Sequence, residues 1–101
     1  MASLLSPNER SVLVTDLAQW SMVVNRDAIT RSYQFKDFKE AFAFMTQCAL
    51  VAEQMNHHPE WFNVWNRVEV TLSTHDAGGL TKLDLDLARS MDRFANTLLA
   101  K

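Results

Sequence analysis

The sequence predicts an α+β domain in which a four-stranded antiparallel sheet carries three helices on one face, in the order α-β-β-α-β-β-α. Two segments alternate apolar and polar residues on either side of a short turn, which is typical of β-hairpins. Three segments repeat apolar residues every three or four positions, which is typical of amphipathic helices. With 101 residues, of which 48% are hydrophobic and 22% charged, the chain suits a single domain over residues 1–101.

A capping box predicts the first helix, and a turn sequence predicts the first hairpin. Ser6 lies three residues before Glu9, with Pro7 between them, so the chain contains a capping box with proline at the first helical position. We expect this helix to end near Ala18. The hairpin that follows has predicted strands over residues 20–24 and 29–35 and a turn over residues 25–27.

The central helix is predicted over about residues 37–56 from the longest apolar repeat in the chain. Phe44 and Val51 widen the apolar stripe on one side, and Ala43 and Leu50 lie nearly opposite it. The helix is therefore either deeply buried or meets a helix of another chain. The stripe comprises Phe38, Ala41, Phe42, Met45, Cys48, Ala49, Ala52 and Met55.

A second hairpin and a final helix complete the predicted fold. The hairpin follows Pro59, and Gly78-Gly79 then separates it from the helix. Thr81 with Asp84 forms the helix cap, and the apolar stripe of the helix extends to Leu99. The predicted hairpin has strands over residues 61–65 and 68–74 and a turn over residues 66–67.

The charge and cysteine content exclude several classes of protein. Ten Lys and Arg against twelve Asp and Glu give a net charge of -2, so the chain lacks the basic face that direct nucleic-acid binding needs. Cys48 is the only cysteine, which excludes an intrachain disulfide and favours a packing role. No basic leader or membrane-spanning apolar segment is evident, which indicates a cytosolic or nuclear protein.

The three histidines are the candidate catalytic residues. His57 and His58 are adjacent at the end of the central helix, and His75 closes a strand before the Gly-Gly loop. Because the second hairpin returns the chain towards its start, we expect all three at one edge of the sheet. Glu53 lies one helical turn before His57 and is expected to orient it. Imidazole exchanges protons near neutrality, so this arrangement predicts acid/base chemistry.

A metal site is the first alternative reading of the same residues. The side chains of His57, His58, His75, Glu53 and Asp76 are all competent ligands. Adjacent histidines diverge from one backbone and rarely ligate one ion together, so we expect no metal. Histidines without a function, in surface loops, are the other alternative.

Seven residues at fixed spacings resemble the signature of the pterin-4a-carbinolamine dehydratases, a family that includes the dimerization cofactor of hepatocyte nuclear factor. The resemblance extends over essentially the whole chain and is strongest over residues 56–64 and 71–75. It implies a similar chain length and the same order of helices and hairpins. In chain order the seven residues are Glu53, His57, His58, Pro59, Trp65, His75 and Asp84.

The resemblance implies a hydro-lyase of tetrahydrobiopterin recycling, which dehydrates 4a-hydroxytetrahydrobiopterin to quinonoid dihydrobiopterin. The pterin is the substrate, and neither a further cofactor nor a metal is implied. His57 and His75 would form the principal acid/base pair, and His58 would bind substrate and transfer protons. The other substrate-binding or supporting residues that the resemblance implies are Glu53, Pro59, Thr74, Asp76, Ala77, Trp20 and Asp84.

Some of these residues have simpler interpretations. Trp20 and Trp65 are also candidates for packing in the core, and Asp84 is also a capping partner for Thr81. Some relatives carry aspartate where this chain has Asn56, which leaves one carboxylate contact with the substrate open.

The resemblance also implies a transcriptional coactivator that stabilises dimers of a hepatocyte nuclear factor, a homeodomain protein. The predicted partner surface is the central helix, at Phe44, Cys48 and Val51, and a homodimer or homotetramer would use the same helix. Cytoplasmic and nuclear locations would follow. The alternative is mainly a dimerization module with weak or vestigial dehydratase activity.

Overall fold

The four strands of the computed structural model, which describes residues 2–99, form one antiparallel sheet in the order β1-β2-β4-β3. The predicted fold class is thereby confirmed. Pairing of β2 with β4 joins the two hairpins into a single sheet. The elements are α1 (Pro7–Arg10), α2 (Val12–Thr15), β1 (Ser21–Met22), β2 (Ile29–Gln34), α3 (Phe38–Met55), β3 (Glu60–Val64), β4 (Arg67–Leu72), a 3-10 turn (His75–Ala77) and α4 (Lys82–Leu99).

The first helix is shorter than predicted and is interrupted at Ser11. Its capping box between Ser6 and Glu9 is present, but the Ser11 hydroxyl donates to the carbonyl of Asn8. The β-branched residues at the end of α2 are also weak helix formers. The helical segment therefore ends at Thr15 rather than near Ala18.

β1 has two residues rather than the predicted five. Its residues Ser21 and Met22 pair with β2, and the amide of Val23 then donates to the carbonyl of Ala28, which begins the turn. Asn25 has φ 66°, a left-handed conformation that asparagine tolerates better than most residues. A wide turn therefore replaces the second half of the predicted strand.

The sheet has one buried and one more exposed face, as the alternation in the sequence predicts. Val68, Val70 and Leu72 of β4 are buried, together with Ile29 and Tyr33 of β2. Cross-strand pairs such as Ser32 with Glu69 lie on the opposite, more exposed face. The helices cover the buried face, which confirms the predicted layering.

The partner-binding side predicted for α3 is wrong for Phe44 and Cys48, because both are fully buried in the core. The Phe44 ring lies 4.6 Å from that of Tyr33, measured between centroids, and burial raises the pKa of the Cys48 thiol to about 12. Val51 is half-buried and packs against the same core. Apolar residues surround most of this helix, so their periodicity did not determine which side faces the sheet.

The large apolar residues that α3 exposes are Phe38, Phe42 and Leu50. Two of these, Phe38 and Phe42, were predicted to belong to the buried stripe, together with Ala49, which is also exposed. Leu50 has 65% of its surface exposed, and it lies two turns beyond Phe42 on the helix. We call the surface formed by Phe42 and Leu50 the outer face of α3.

The two tryptophans that were candidates for the core, Trp20 and Trp65, differ in burial. Trp20 is buried, and its indole N–H donates to Asp92 on α4 at 3.1 Å. Trp65 is 64% exposed at the β3–β4 turn and has φ 50°, so its prediction as a core residue is wrong. The turn lies at Trp65-Asn66, one residue earlier than predicted, because the buried Asn66 side chain donates to the carbonyl of Phe35.

An ion pair connects the first helix to the turn between β1 and β2, and the same carboxylate binds the segment that precedes α4. Arg10 donates two hydrogen bonds to Asp27, each 2.8 Å long, and the amide of Leu80 also donates to Asp27. A Cβ atom on Gly79 would lie 2.2 Å from an oxygen of Asp27, so this close approach requires glycine. The Arg10 guanidinium beside Asp27 holds the pKa of that carboxyl below its ordinary value of 3.8.

This pair predicts a loss of stability in acid. Because the pKa of Asp27 is lower in the folded state, its carboxylate stabilises the fold above pH 3.8, and the stabilisation is lost as pH falls through the lower value. Wild type should exceed Asp27→Asn in free energy of unfolding by a constant amount over about pH 5 to 8, and by less below about pH 4. Urea unfolding at a series of pH values measures this difference, and a constant difference throughout would contradict the prediction.

Within residues 2–99, none of the helices combines the length and the apolar character that crossing a membrane requires.

Candidate active site

The end of α3 directs the two adjacent histidines away from the helix axis. Asn56 has φ 52°, and its amide donates to the carbonyl of Glu53 while the amide of His57 donates to that of Ala52. This pair of bonds around a left-handed residue is a Schellman motif, which terminates helices. Asparagine at position 56 thus has a structural role, and it brings the histidines out of the helix.

His57 is held by a buried carboxylate from the first turn of α4. Its Nε2 atom lies 2.6 Å from Oδ1 of Asp84, and both side chains are buried. The second oxygen of Asp84 accepts from the hydroxyl of Thr74 at 2.8 Å and from the amide of Thr81 at 2.9 Å. Asp84 therefore combines the two predicted roles, since it supports a histidine and completes the cap of α4.

Glu53 contacts His58 rather than His57, which corrects the predicted pairing. The carboxylate lies 2.8 Å from Nε2 of His58, and both side chains are largely exposed. The prediction assumed that the helix continues through His57. Because the Schellman motif ends the helix first, the one-turn spacing no longer applies.

His75 begins the 3-10 turn after β4, and its side chain is 79% exposed. Its Nε2 atom lies 3.5 Å from the carboxylate of Glu60 at the start of β3. Two hydrogen bonds from Arg26, of 2.9 and 2.7 Å, hold that carboxylate and lower the pKa of Glu60. Neither Arg26 nor Glu60 was predicted to belong to the site, because no local sequence pattern brings the two together.

All three histidines line one cavity of about 230 Å³. Thr74 and Asp76, both predicted to bind substrate, also line it, as do Asn56 and Leu83. Glu53 and Asp84, which contact the histidines, lie outside the lining, and so do three further predicted residues. They are Trp20, which packs in the core, Pro59, which is half-buried after the histidine pair, and Ala77, which ends the 3-10 turn.

The carboxylates determine which nitrogen of each ring is available. A carboxylate accepts hydrogen bonds, so Nε2–H of His57 donates to Asp84 and Nε2–H of His58 donates to Glu53. A neutral imidazole with its hydrogen at Nε2 has a lone pair at Nδ1. Nδ1 is therefore the atom that takes up a proton, and a protonated ring can return it from the same position.

In the part of the chain that the structure describes, no three side chains of the His, Cys, Asp and Glu types converge in a way that would hold a metal ion. Asp84, which pairs with His57, also accepts a hydrogen bond from the hydroxyl of Thr74.

The antiparallel sheet and the cavity lined by three histidines define an α+β protein with a candidate acid/base site. Comparison with known proteins identifies the family. The family model described as "Pterin 4 alpha carbinolamine dehydratase" matches residues 3–94. The chain belongs to this family, as its resemblance predicted, and thereby to the hydro-lyases.

Close relatives occur among bacteria. A Burkholderia vietnamiensis protein named "Putative pterin-4-alpha-carbinolamine dehydratase" is 58% identical over 97 residues, which cover 95% of each chain. A Burkholderia pseudomallei protein of the same name is 58% identical over 88 residues, which cover 87% of each chain.

Two solved structures share the fold. The "transcriptional coactivator/pterin dehydratase" from Brucella melitensis is 50% identical, has a TM-score of 0.87, and is matched over 92% of this chain and 99% of its own. A pterin dehydratase-like protein, described as a RuBisCO assembly factor in the alpha-carboxysome, is 19% identical with a TM-score of 0.66 over 76% of this chain and 89% of its own. The second likeness concerns the fold alone.

Proposed function

We propose that this protein dehydrates 4a-hydroxytetrahydrobiopterin to quinonoid dihydrobiopterin by histidine acid/base catalysis. The observation that supports this most directly is the convergence of His57, His58 and His75 on one cavity, although the chain separates the third from the first two by a complete hairpin. Relatives named as dehydratases of this substrate class support the same reaction.

The reaction needs one proton delivered and one removed. The hydroxyl on C4a leaves as water once it is protonated, and N5 loses its proton as the C4a–N5 double bond forms. The oxidation state of the ring system does not change. Two imidazoles suffice, and we assign the acid/base pair to His57 and His75, with His58 in binding and proton transfer.

Neighbouring groups would hold the flat ring. His75 and Asp76 are the first residues of the 3-10 turn, so their amides have no acceptor within it and can donate to the pterin. Thr74 and Ala77 flank these amides, and Pro59 follows the histidine pair. We propose that these backbone groups bind the pterin, while Glu53 and Asp84 orient the catalytic rings.

A rate measurement tests the proposal. The 4a-hydroxytetrahydropterin is generated enzymatically, and its decay is followed by absorbance with wild-type protein, with buffer, and with free imidazole at three times the protein concentration. Positioned acid/base groups should accelerate decay by at least about 100-fold over imidazole. Equal rates with protein and imidazole would reject catalysis and favour a binding module with vestigial activity.

The outer face of α3 supports a second proposed function, which is association with other chains. Phe42 and Leu50 expose large apolar side chains on a surface helix, a pattern found at protein interfaces. The name of the Brucella melitensis relative supports a coactivator role as well. The relatives named above are bacterial and give no support to a nuclear location or a homeodomain partner, so we propose a second copy of this chain as the occupant.

The variant Leu50→Glu should therefore shift the protein towards the monomer, because a buried unpaired carboxylate opposes association. Sedimentation velocity would show a dimer or tetramer for wild type and a smaller species for the variant. Asn96→Glu, which adds the same charge to an exposed position of α4 beside Asp16 and Leu17, serves as the control. An unaltered oligomer in Leu50→Glu would count against this interface.

A further inference from the structure

The cavity at the histidines shares part of its wall, including His75, with a second and larger cavity. The first, of about 230 Å³, contains His57 and His58, and we call it the reaction compartment. The second, of about 670 Å³, is lined by Arg26 and Glu60 on its far side, and we call it the side compartment. Residues 73–75 line both. The two compartments therefore adjoin at His75, and a ligand long enough to span this residue would occupy both.

The charged groups of the side compartment are already paired with one another. Arg26 donates two hydrogen bonds to Glu60, and Asp27 accepts two from Arg10. Each of these carboxyls has a lowered pKa and is ionised at neutral pH. The side compartment therefore offers both hydrogen-bond donors and acceptors. In the two ion pairs, Arg26 with Glu60 and Arg10 with Asp27, the positive and negative charges are equal in number. Such a wall suits a neutral hydroxylated group and offers an anion little net attraction.

The Arg26–Glu60 pair also reaches the catalytic ring. The carboxylate of Glu60 that holds Arg26 lies 3.5 Å from Nε2 of His75. A group that hydrogen-bonds to this pair would therefore be fixed within a few ångströms of the imidazole. Binding in the side compartment would set the position of the reacting ring relative to His75.

We propose that the side compartment binds the hydroxylated side chain at C6 of the pterin, and that Arg26 and Glu60 select this neutral side chain over an anionic one. The inference rests on the proposed pterin substrate. A hydroxyl can donate to Glu60 and accept from Arg26 without breaking their ion pair. The glutamate tail of a reduced folate would have to displace Glu60 from Arg26 and approach Asp27, which costs electrostatic energy.

Binding of three unreactive dihydropterins tests this selectivity. They are 7,8-dihydrobiopterin with its dihydroxypropyl side chain, 6-methyl-7,8-dihydropterin without hydroxyls, and 7,8-dihydrofolate with an anionic tail. By isothermal titration, wild type should bind the dihydroxypropyl ligand about tenfold more tightly than the methyl ligand, and the folate no more tightly than the methyl ligand. In Glu60→Gln and Arg26→Gln the preference should fall to about twofold.

A matched control separates this effect from a general change of charge. Arg67, the first residue of β4, pairs with Glu69 at 3.1 Å, and the two side chains are about as exposed as those of Arg26 and Glu60. Arg67→Gln should therefore keep the tenfold preference. Equal wild-type affinities for the three ligands would overturn the inference and leave the pterin site standing. If wild type bound none of them, the proposed function would fail together with the inference. An equal loss of preference in Arg67→Gln would also overturn it.

Discussion

Replacing Asp84 by alanine should lower the free energy of unfolding by about 3–5 kcal/mol, the largest loss of stability that we expect from a single change in this chain. Its fully buried carboxylate accepts hydrogen bonds from His57, Thr74 and the amide of Thr81. Alanine would leave these donors without their acceptor in a space that water does not readily fill. Asp84→Asn keeps the volume and one oxygen, so it should lose less stability than Asp84→Ala.

Urea unfolding followed by circular dichroism measures this loss. The control is Asp86→Ala, which removes a carboxylate two residues later on α4, where its side chain is 57% exposed beside Arg89. We expect its change in stability to stay within about 0.5 kcal/mol. If the two alanine variants lost the same stability, the buried network would not be the cause.

The second large effect concerns catalysis. His75→Ala should lower kcat for pterin dehydration by about 100-fold or more, because it removes one member of the proposed acid/base pair. Its side chain is 79% exposed and makes a single long contact with Glu60, so the free energy of unfolding should hardly change. A stopped-flow assay and a urea titration on the same preparation test both statements.

His57→Ala provides the informative contrast. It should lose a comparable factor in kcat, and it should also destabilise the fold, because the buried Asp84 carboxylate would lose one of its three hydrogen-bond donors. A His75→Ala protein with wild-type kcat would remove His75 from the proposed pair. If His75→Ala instead lost as much stability as His57→Ala, its lower rate would reflect altered folding rather than lost proton transfer.

The parts of the fold that depend on neighbouring residues were predicted well from the sequence. The caps at Ser6 and Thr81 and the alternation of β4 involve residues only a few positions apart, so their physical causes are visible in the chain itself. The same applies to the grouping of the histidines, because the β3–β4 hairpin returns the chain to the edge where it began. His57, His58 and His75 were identified before their cavity was known.

The parts that depend on distant contacts were predicted less well. Glu60 and Arg26 are 34 residues apart, and their pairing results from the register of the sheet, which no local pattern encodes. The orientation of α3 was wrong for Phe44 and Cys48, because its apolar residues occupy more than one side. The pairing of Glu53 with His57 was wrong because Asn56 ends the helix one residue before it. In the first two cases tertiary packing decided between locally equivalent choices, whereas in the third a local helix end at Asn56 was overlooked.

The buried thiol of Cys48 can be used to measure local opening of the fold. Thiol reagents attack the thiolate, and the Cys48 sulfur is both enclosed by the core and held in the neutral form by its raised pKa. Modification must therefore wait for a fluctuation that detaches α3 from the sheet. Where the fold recloses faster than the reagent reacts, the alkylation rate relative to that of a free thiol gives the population of the open state, with no introduced residue and no denaturant.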